Sequence, residues 1–282
     1  MSPNGTNSME LVFPSTTDKV ITVIQLVYEI PSFLLLIFFL FFLGIGKNYK
    51  NSFYRLVQLD LLTNILCYLN TWIELRMEKH LSGVMILKAM ESTIPGILSF
   101  AKLLITFFMH MQFCSAVALN IHRITSVVYF DSHEKSWSRY YSIFGVISAI
   151  YSTLPLLSIS GRMVDIEIIN GTLMTTYHTE VMEKTFFQVA AFSVIYFALL
   201  LIIGIATFII VSKKIRSVTS DDRGISKKLT KIALTYCFVY SGILLFGILG
   251  TLNEVFGLLP DILVEYTPVF LVFFSDMVTD KR

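Results

Sequence analysis

The 282-residue sequence predicts an all-α membrane protein, a bundle of seven transmembrane helices with its N-terminus outside. Three observations predict it: the balance of apolar and charged residues, the spacing of apolar segments, and the side on which basic residues gather. Hydrophobic residues make up 55% of the chain and charged residues 15%, whereas a soluble domain carries about 25% charge. A helix crosses a bilayer with roughly 20 apolar residues. Seven such segments and short loops fill residues 1–282 as one domain, behind an extracellular tail at 1–19.

The segments fall near residues 20–46, 53–75, 96–130, 141–160, 186–211, 232–256 and 262–278. The third is longer than a perpendicular span requires, so a tilted helix that continues into the cytosol is expected. The second carries Asp60, and the seventh Glu265 and Asp276, which makes these two the most polar of the set. The first twenty residues are polar and lack a basic n-region, so no cleavable signal peptide is expected. Cys67, Cys114 and Cys237 each lie inside an apolar stretch, and buried thiols are expected in place of a disulfide framework.

Orientation follows from the basic residues. With the N-terminus outside, the inner side collects Lys47, Lys50, Arg55, Arg123, Lys213, Lys214, Lys227 and Lys228, among others. The outer loops keep Lys19, Arg76, Lys79, Lys88, Arg162 and Lys184. The positive-inside rule selects this arrangement. Two N-glycosylation sequons, Asn4-Gly5-Thr6 and Asn170-Gly171-Thr172, fall on the same outer side, so the chain reads as a glycoprotein modified at Asn4 and Asn170.

Ionisable and polar groups within hydrocarbon tend to line cavities or to pair. On the third segment, Lys102, Thr106, Met109, Phe113, Ala116, Asn120 and Arg123 advance in steps of four and three, so they share one helical face. Lys102, Thr106, Met109, His110 and Phe113 are therefore the candidate lining of an outward ligand cavity. Arg123 faces the cytosolic coupling side, with Asn120 beside it. The alternative is plain helix packing, with Lys102 snorkelling to the interface. Asp60 needs a buried partner, which Asn64 or a polar group of the third helix could supply. Its role is either a structural hydrogen bond or a switch. Glu29 and Glu265 lie near outer helix ends; they could face a polar ligand, but headgroups and water are the expected surroundings. Pro155 and Pro268 can each loosen their helix by removing one backbone hydrogen bond.

His110 and Cys114 stand four residues apart, as helical metal ligands do, but no third or fourth ligand accompanies them. No metal and no cofactor are expected. Signatures of catalysis such as His-Glu-x-x-His or Gly-x-Ser-x-Gly are missing from the sequence, which excludes those enzyme classes. The basic clusters Lys213-Lys214-Ile215-Arg216 and Lys227-Lys228 suit anionic lipid, and the segment between them could receive a partner protein. The lipid bilayer is the expected partner, and no nucleic acid is. A transporter or ligand-gated channel is the alternative class; it predicts substrate flux or current without a signalling partner.

The stretches Asn51-Ser-Phe-Tyr-Arg-Leu-Val-Gln-Leu-Asp-Leu-Leu-Thr-Asn64, Tyr68-Leu-Asn-Thr-Trp72, Ala118-Leu-Asn-Ile-His-Arg-Ile-Thr-Ser126 and Lys227-Lys-Leu-Thr-Lys-Ile-Ala-Leu-Thr-Tyr-Cys237 resemble the nematode serpentine chemoreceptors of class gamma. The bundle as a whole looks like a G-protein-coupled receptor. The resemblance implies a chemosensory receptor in the plasma membrane of sensory neurons or their cilia. It also implies a small-molecule ligand among the outer helix halves and a heterotrimeric G protein at the inner face. By position, Arg123 corresponds to the arginine at the inner end of the third helix in rhodopsin-like receptors. His122 precedes it where those receptors have an acid, so an acid–arginine lock is not expected. The Asn-Pro-x-x-Tyr pattern and the outer cysteine pair of those receptors are also missing, and no eighth amphipathic helix is expected.

Overall fold

A computed structural model describes residues 4–8, 16–46, 49–73, 77, 81–129, 132–158, 164–169 and 172–216. In chain order the elements are β1 (Asn4–Ser8), α1 (Thr16–Ile45), α2 (Ser52–Thr71), α3 (Leu81–Thr93), α4 (Ile97–Val128), α5 (His133–Ser158), β2 (Val164–Ile169), β3 (Thr172–His178) and α6 (Thr179–Arg216). The first five expected spans correspond to α1, α2, α4, α5 and α6. The spans expected at 232–256 and 262–278, with Glu265, Pro268, Asp276, Cys237 and the second basic cluster, lie outside the described residues.

Polar side chains of α2 point inward, while Leu62, Leu66 and Leu69 point outward. Asp60 is 1% exposed and Asn64 3%, whereas Leu62 is 43% and Leu66 46% exposed. The outward faces of α1, α5 and α6 repeat this with Phe38, Phe41, Ile147, Ile150, Ile202 and Ile205. A soluble protein seldom exposes apolar surface of that extent. In hydrocarbon the same distribution is favourable, because apolar side chains meet lipid and polar ones meet each other. Among the described residues, α4, α5 and α6 each contain a stretch long and apolar enough to cross a membrane, namely Ile97–Ser126, His133–Leu157 and Glu183–Thr207. At 1.5 Å per residue, α4 is about 48 Å long and exceeds a hydrocarbon core of about 30 Å, as the long third segment requires.

The centre of the bundle is α4, which packs against α2, α5 and α6, while α1 packs against α2. The α1–α2 seam is apolar, with Leu36, Leu43, Leu61 and Ile65 buried. Another cluster, Leu56, Ala118 and Leu119 with Trp137 and Phe144, joins α2, α4 and α5. Gly145 lets α2 and α5 approach: a Cβ there would stand 3.2 Å from Leu59 Cδ2.

Two features go beyond the expected spans, and the first departs from an all-α fold. The first is a three-stranded antiparallel sheet in the order β1-β3-β2. Val164, Ile166 and Leu173 alternate along β2 and β3, and their shared face packs on Leu87 of α3 and Leu98 of α4. Ile169 pairs with Thr172, so Asn170-Gly171 is the two-residue connection, and Asn-Gly is the dipeptide that such hairpins favour. Read only as part of a sequon, it conceals a hairpin signal. Asn170 itself lies outside the described residues. The second feature is α3, a short helix where a simple loop between the second and third spans was expected. It turns into α4 at Gly96, whose φ of +87° suits glycine. The Glu91 carboxylate accepts the backbone N–H groups of Gly96 and Leu98, the latter at 3.1 Å. It thereby satisfies donors that the first turn of α4 would leave open.

Candidate functional site

Buried polar contacts run along α4 from one end of the bundle to the other. At the end nearest the sheet, Ser99 Oγ accepts the N–H of Ile166 at 3.0 Å. Asn70 Nδ2 of α2 donates to the Ala101 carbonyl at 3.0 Å. Lys102 is half-buried in this region, and Thr106, one turn further, is buried. Glu29 is 1% exposed and accepts a hydrogen bond from Tyr68 Oη at 3.4 Å. This corrects the expectation that Glu29 reaches headgroups and water. The Phe33 ring stacks on Tyr68 at 4.7 Å and closes the pair in.

In the next section of α4, His110 is fully buried and its Nδ1 pairs with the Tyr196 hydroxyl of α6. Tyr196 also shares a 2.8 Å hydrogen bond with the Tyr151 hydroxyl of α5. Phe192 and Tyr151 meet the imidazole edge-on, at 4.7 and 5.8 Å. Phe113 lies flat against the Tyr196 ring, and Met109 packs on the same cluster. The expected stripe members Met109, Phe113 and Ala116 thus converge on α6. His110, one residue beside the stripe, carries the polar link among three helices. Cys114 is a free thiol, half-buried.

On its α2 side, the middle of α4 makes side-chain hydrogen bonds through Gln112 and Ser115. Ser115 Oγ donates to Asp60 Oδ1, and Gln112 Nε2 donates to Asn64 Oδ1 at 3.0 Å. A polar group of the third span is thus the partner Asp60 needs. Asn120 is buried and bonds back to the Ala116 carbonyl of its own helix at 2.9 Å.

At the far end, α2, α4 and α5 meet through side chains. Glu134, in the first turn of α5, accepts the N–H of Ser52 at 2.7 Å and its hydroxyl at 2.8 Å. Ser52 Oγ also lies 2.9 Å from His122 Nε2, which in turn lies 3.2 Å from His133 Nε2. Trp137 packs against both imidazoles and donates from its indole N–H to Thr125 Oγ1 at 2.9 Å. Arg123 is half-buried, with Cζ 5.8 Å from the centroid of the Phe53 ring. The position before the arginine, which lacks the usual acid, therefore holds a histidine bonded across to two other helices.

The partners Ser52, Gln112, Ser115, His133, Glu134, Tyr151 and Tyr196 were not singled out in the sequence. They meet their partners across separations such as 82, 48, 55 and 86 residues. Helical periodicity places residues on a face but does not say which helix that face meets.

Chemically, the arrangement offers a soft, aromatic and hydrogen-bonding environment beside His110, and a charged, hydrogen-bonded junction beside His122. The family profile described as Srg family chemoreceptor matches residues 22–279. Serpentine receptor class gamma-47 of Caenorhabditis elegans is 36% identical over 262 residues, which cover 92% of this chain and 84% of that protein. Serpentine receptor class gamma-53 of the same organism is 27% identical over 226 residues, 79% of this chain and 76% of that protein.

Proposed function

The chain belongs to the Srg chemoreceptor family, a membrane-receptor family and not an enzyme family, and from that premise we propose that it is a G-protein-coupled chemosensory receptor. A small molecule binds between the outer halves of the helices, with Lys102, Thr106, Met109, His110 and Phe113 as its contacts on α4. Seven spans carry the N-terminus outside, so that the sheet end is extracellular and the Ser52–Glu134 junction cytosolic. A heterotrimeric G protein meets the inner ends of the helices, with Arg123 and Asn120 on the coupling side and Asp60 as the polar switch between α2 and α4. The plasma membrane of sensory neurons or their cilia is the setting, and Asn4 and Asn170 carry glycans.

The observation that carries this reading is the continuity of α4. One helix of 32 residues holds buried polar contacts to α2, α5 and α6 along its length. A ligand that favours one arrangement at the His110 level changes the populations of both ends, because the helix links them. A heterologous cell that expresses the receptor with a promiscuous Gα subunit tests the reading. A dose-dependent second-messenger response to members of a chemically diverse library is expected. Confirmed surface expression with no response to any of them would count against it.

A further inference from the structure

We propose that His122, His133 and Glu134 form a binding site for a borderline divalent cation, Zn²⁺ by its chemistry, at the junction of α2, α4 and α5. One ligand atom from each of these residues lies within 4.8 Å of the others. The two imidazole Nε2 atoms are 3.2 Å apart. Two nitrogens at ~2.0–2.1 Å from a tetrahedral ion lie ~3.3 Å apart, so the observed separation is that of one edge of such a coordination shell.

Hydrogen-bond bookkeeping agrees. The Ser52 hydroxyl donates to Glu134 Oε2 at 2.8 Å, and its oxygen lies 2.9 Å from His122 Nε2. At most one proton can occupy the space between the two Nε2 atoms. With the proton of each ring on Nδ1, each Nε2 keeps one in-plane lone pair, and two lone pairs facing each other at 3.2 Å are better shared with a cation than left opposed. Two imidazoles and a carboxylate are the donor set of many zinc sites with an open fourth position, here filled by water or Ser52 Oγ.

The ligands are also held in place. A tight connection joins α4 to α5: Tyr129 N donates to Thr125 O at 2.8 Å, and His133 N to Tyr129 O at 2.9 Å. The Ser52 N–H and hydroxyl orient the carboxylate, and Trp137 packs on both rings. Such outer contacts typically hold metal ligands in one orientation. His122 and His133 are buried while Glu134 is exposed, so the carboxylate provides the route of entry from water. The neighbouring cation, Arg123, stands over the Phe53 ring.

The test uses full-length receptor purified in detergent with a histidine-free tag, stripped of metal, and titrated with Co²⁺ and then Zn²⁺. The expected result is one Co²⁺ per chain with the visible bands of four-coordinate cobalt, displaced by Zn²⁺. Glu134→Gln should weaken affinity at least ~10-fold, and the double variant His122→Gln/His133→Gln should abolish the bands. Glu134 is exposed, so its variant reports on the site even where the double variant fails to fold. Absence of stoichiometric four-coordinate cobalt in the unmodified receptor overturns the proposal, as does unchanged affinity in Glu134→Gln. Neither readout involves signalling, so failure here is distinct from failure of the receptor reading.

Discussion

At the residue scale, the hydroxyl of Tyr196 bears most on the account. It pairs with a fully buried imidazole and with Tyr151, so Tyr196→Phe leaves His110 Nδ1 without its α6 partner. Stranding a buried polar group costs about 1–3 kcal/mol, and the melting temperature of the purified variant should fall accordingly; an unchanged melting curve would show that the bond contributes nothing. Asp60 admits a sharper contrast. Asparagine retains an oxygen to accept from Ser115, whereas alanine does not. Surface expression should stay near the unmodified level in Asp60→Asn and drop in Asp60→Ala, as measured by antibody binding to intact cells. Equal expression of the two would remove Ser115 as the relevant partner. Lys102 belongs to the proposed ligand contacts. Lys102→Met should lower the potency of an acidic ligand at constant surface level, and an unaltered dose–response would return Lys102 to a snorkelling role. The individual partners of His110, Asp60 and His122 were not legible from the sequence, because each lies on another helix, between 11 and 86 residues away; for Asp60 the third span was named but not the residue. What was legible was the need for a partner at Asp60, since an acid within an apolar segment announces its own desolvation cost.

At the element scale, α4 stands out for the way its N-terminal end is started. Gly96 takes a left-handed conformation and Glu91 caps the following amides. Gly96→Ala should destabilise by about 1–2 kcal/mol, since a Cβ disfavours that conformation, read as a lower melting temperature; a neutral result would mean that the turn relaxes freely. The spans at α1, α2, α4, α5 and α6 were legible because hydropathy reports locally on the surrounding solvent. Their ends were less so. The structure starts α5 at His133 and α6 at Thr179, ahead of the apolar runs, because helices continue through polar turns that hydropathy does not count. The sheet was hidden for a related reason. Strands of five to seven residues gain their stability from pairing with distant chain and from α3 and α4 beneath them, which no local window sees.

At the scale of the whole molecule, pairing of β1 with β3 ties the N-terminal tail to the connection between α5 and α6. Both sequons therefore belong to chain segments at one end of the bundle. If that end is extracellular, a glycosidase-sensitive mobility shift should appear and should vanish in the double variant Asn4→Gln/Asn170→Gln; the same shift remaining in the double variant would place the glycan elsewhere. The family membership makes this a membrane chemoreceptor, and in the proposed function the contacts along α4 couple its two ends. The most direct test of that central claim is nucleotide exchange on a purified heterotrimeric G protein by the receptor reconstituted in lipid vesicles, with and without a ligand that activates it in cells. Ligand should accelerate exchange in the unmodified receptor, and Arg123→Ala should abolish the acceleration while ligand binding persists. Binding without any acceleration, or equal acceleration by Arg123→Ala, would contradict the claim.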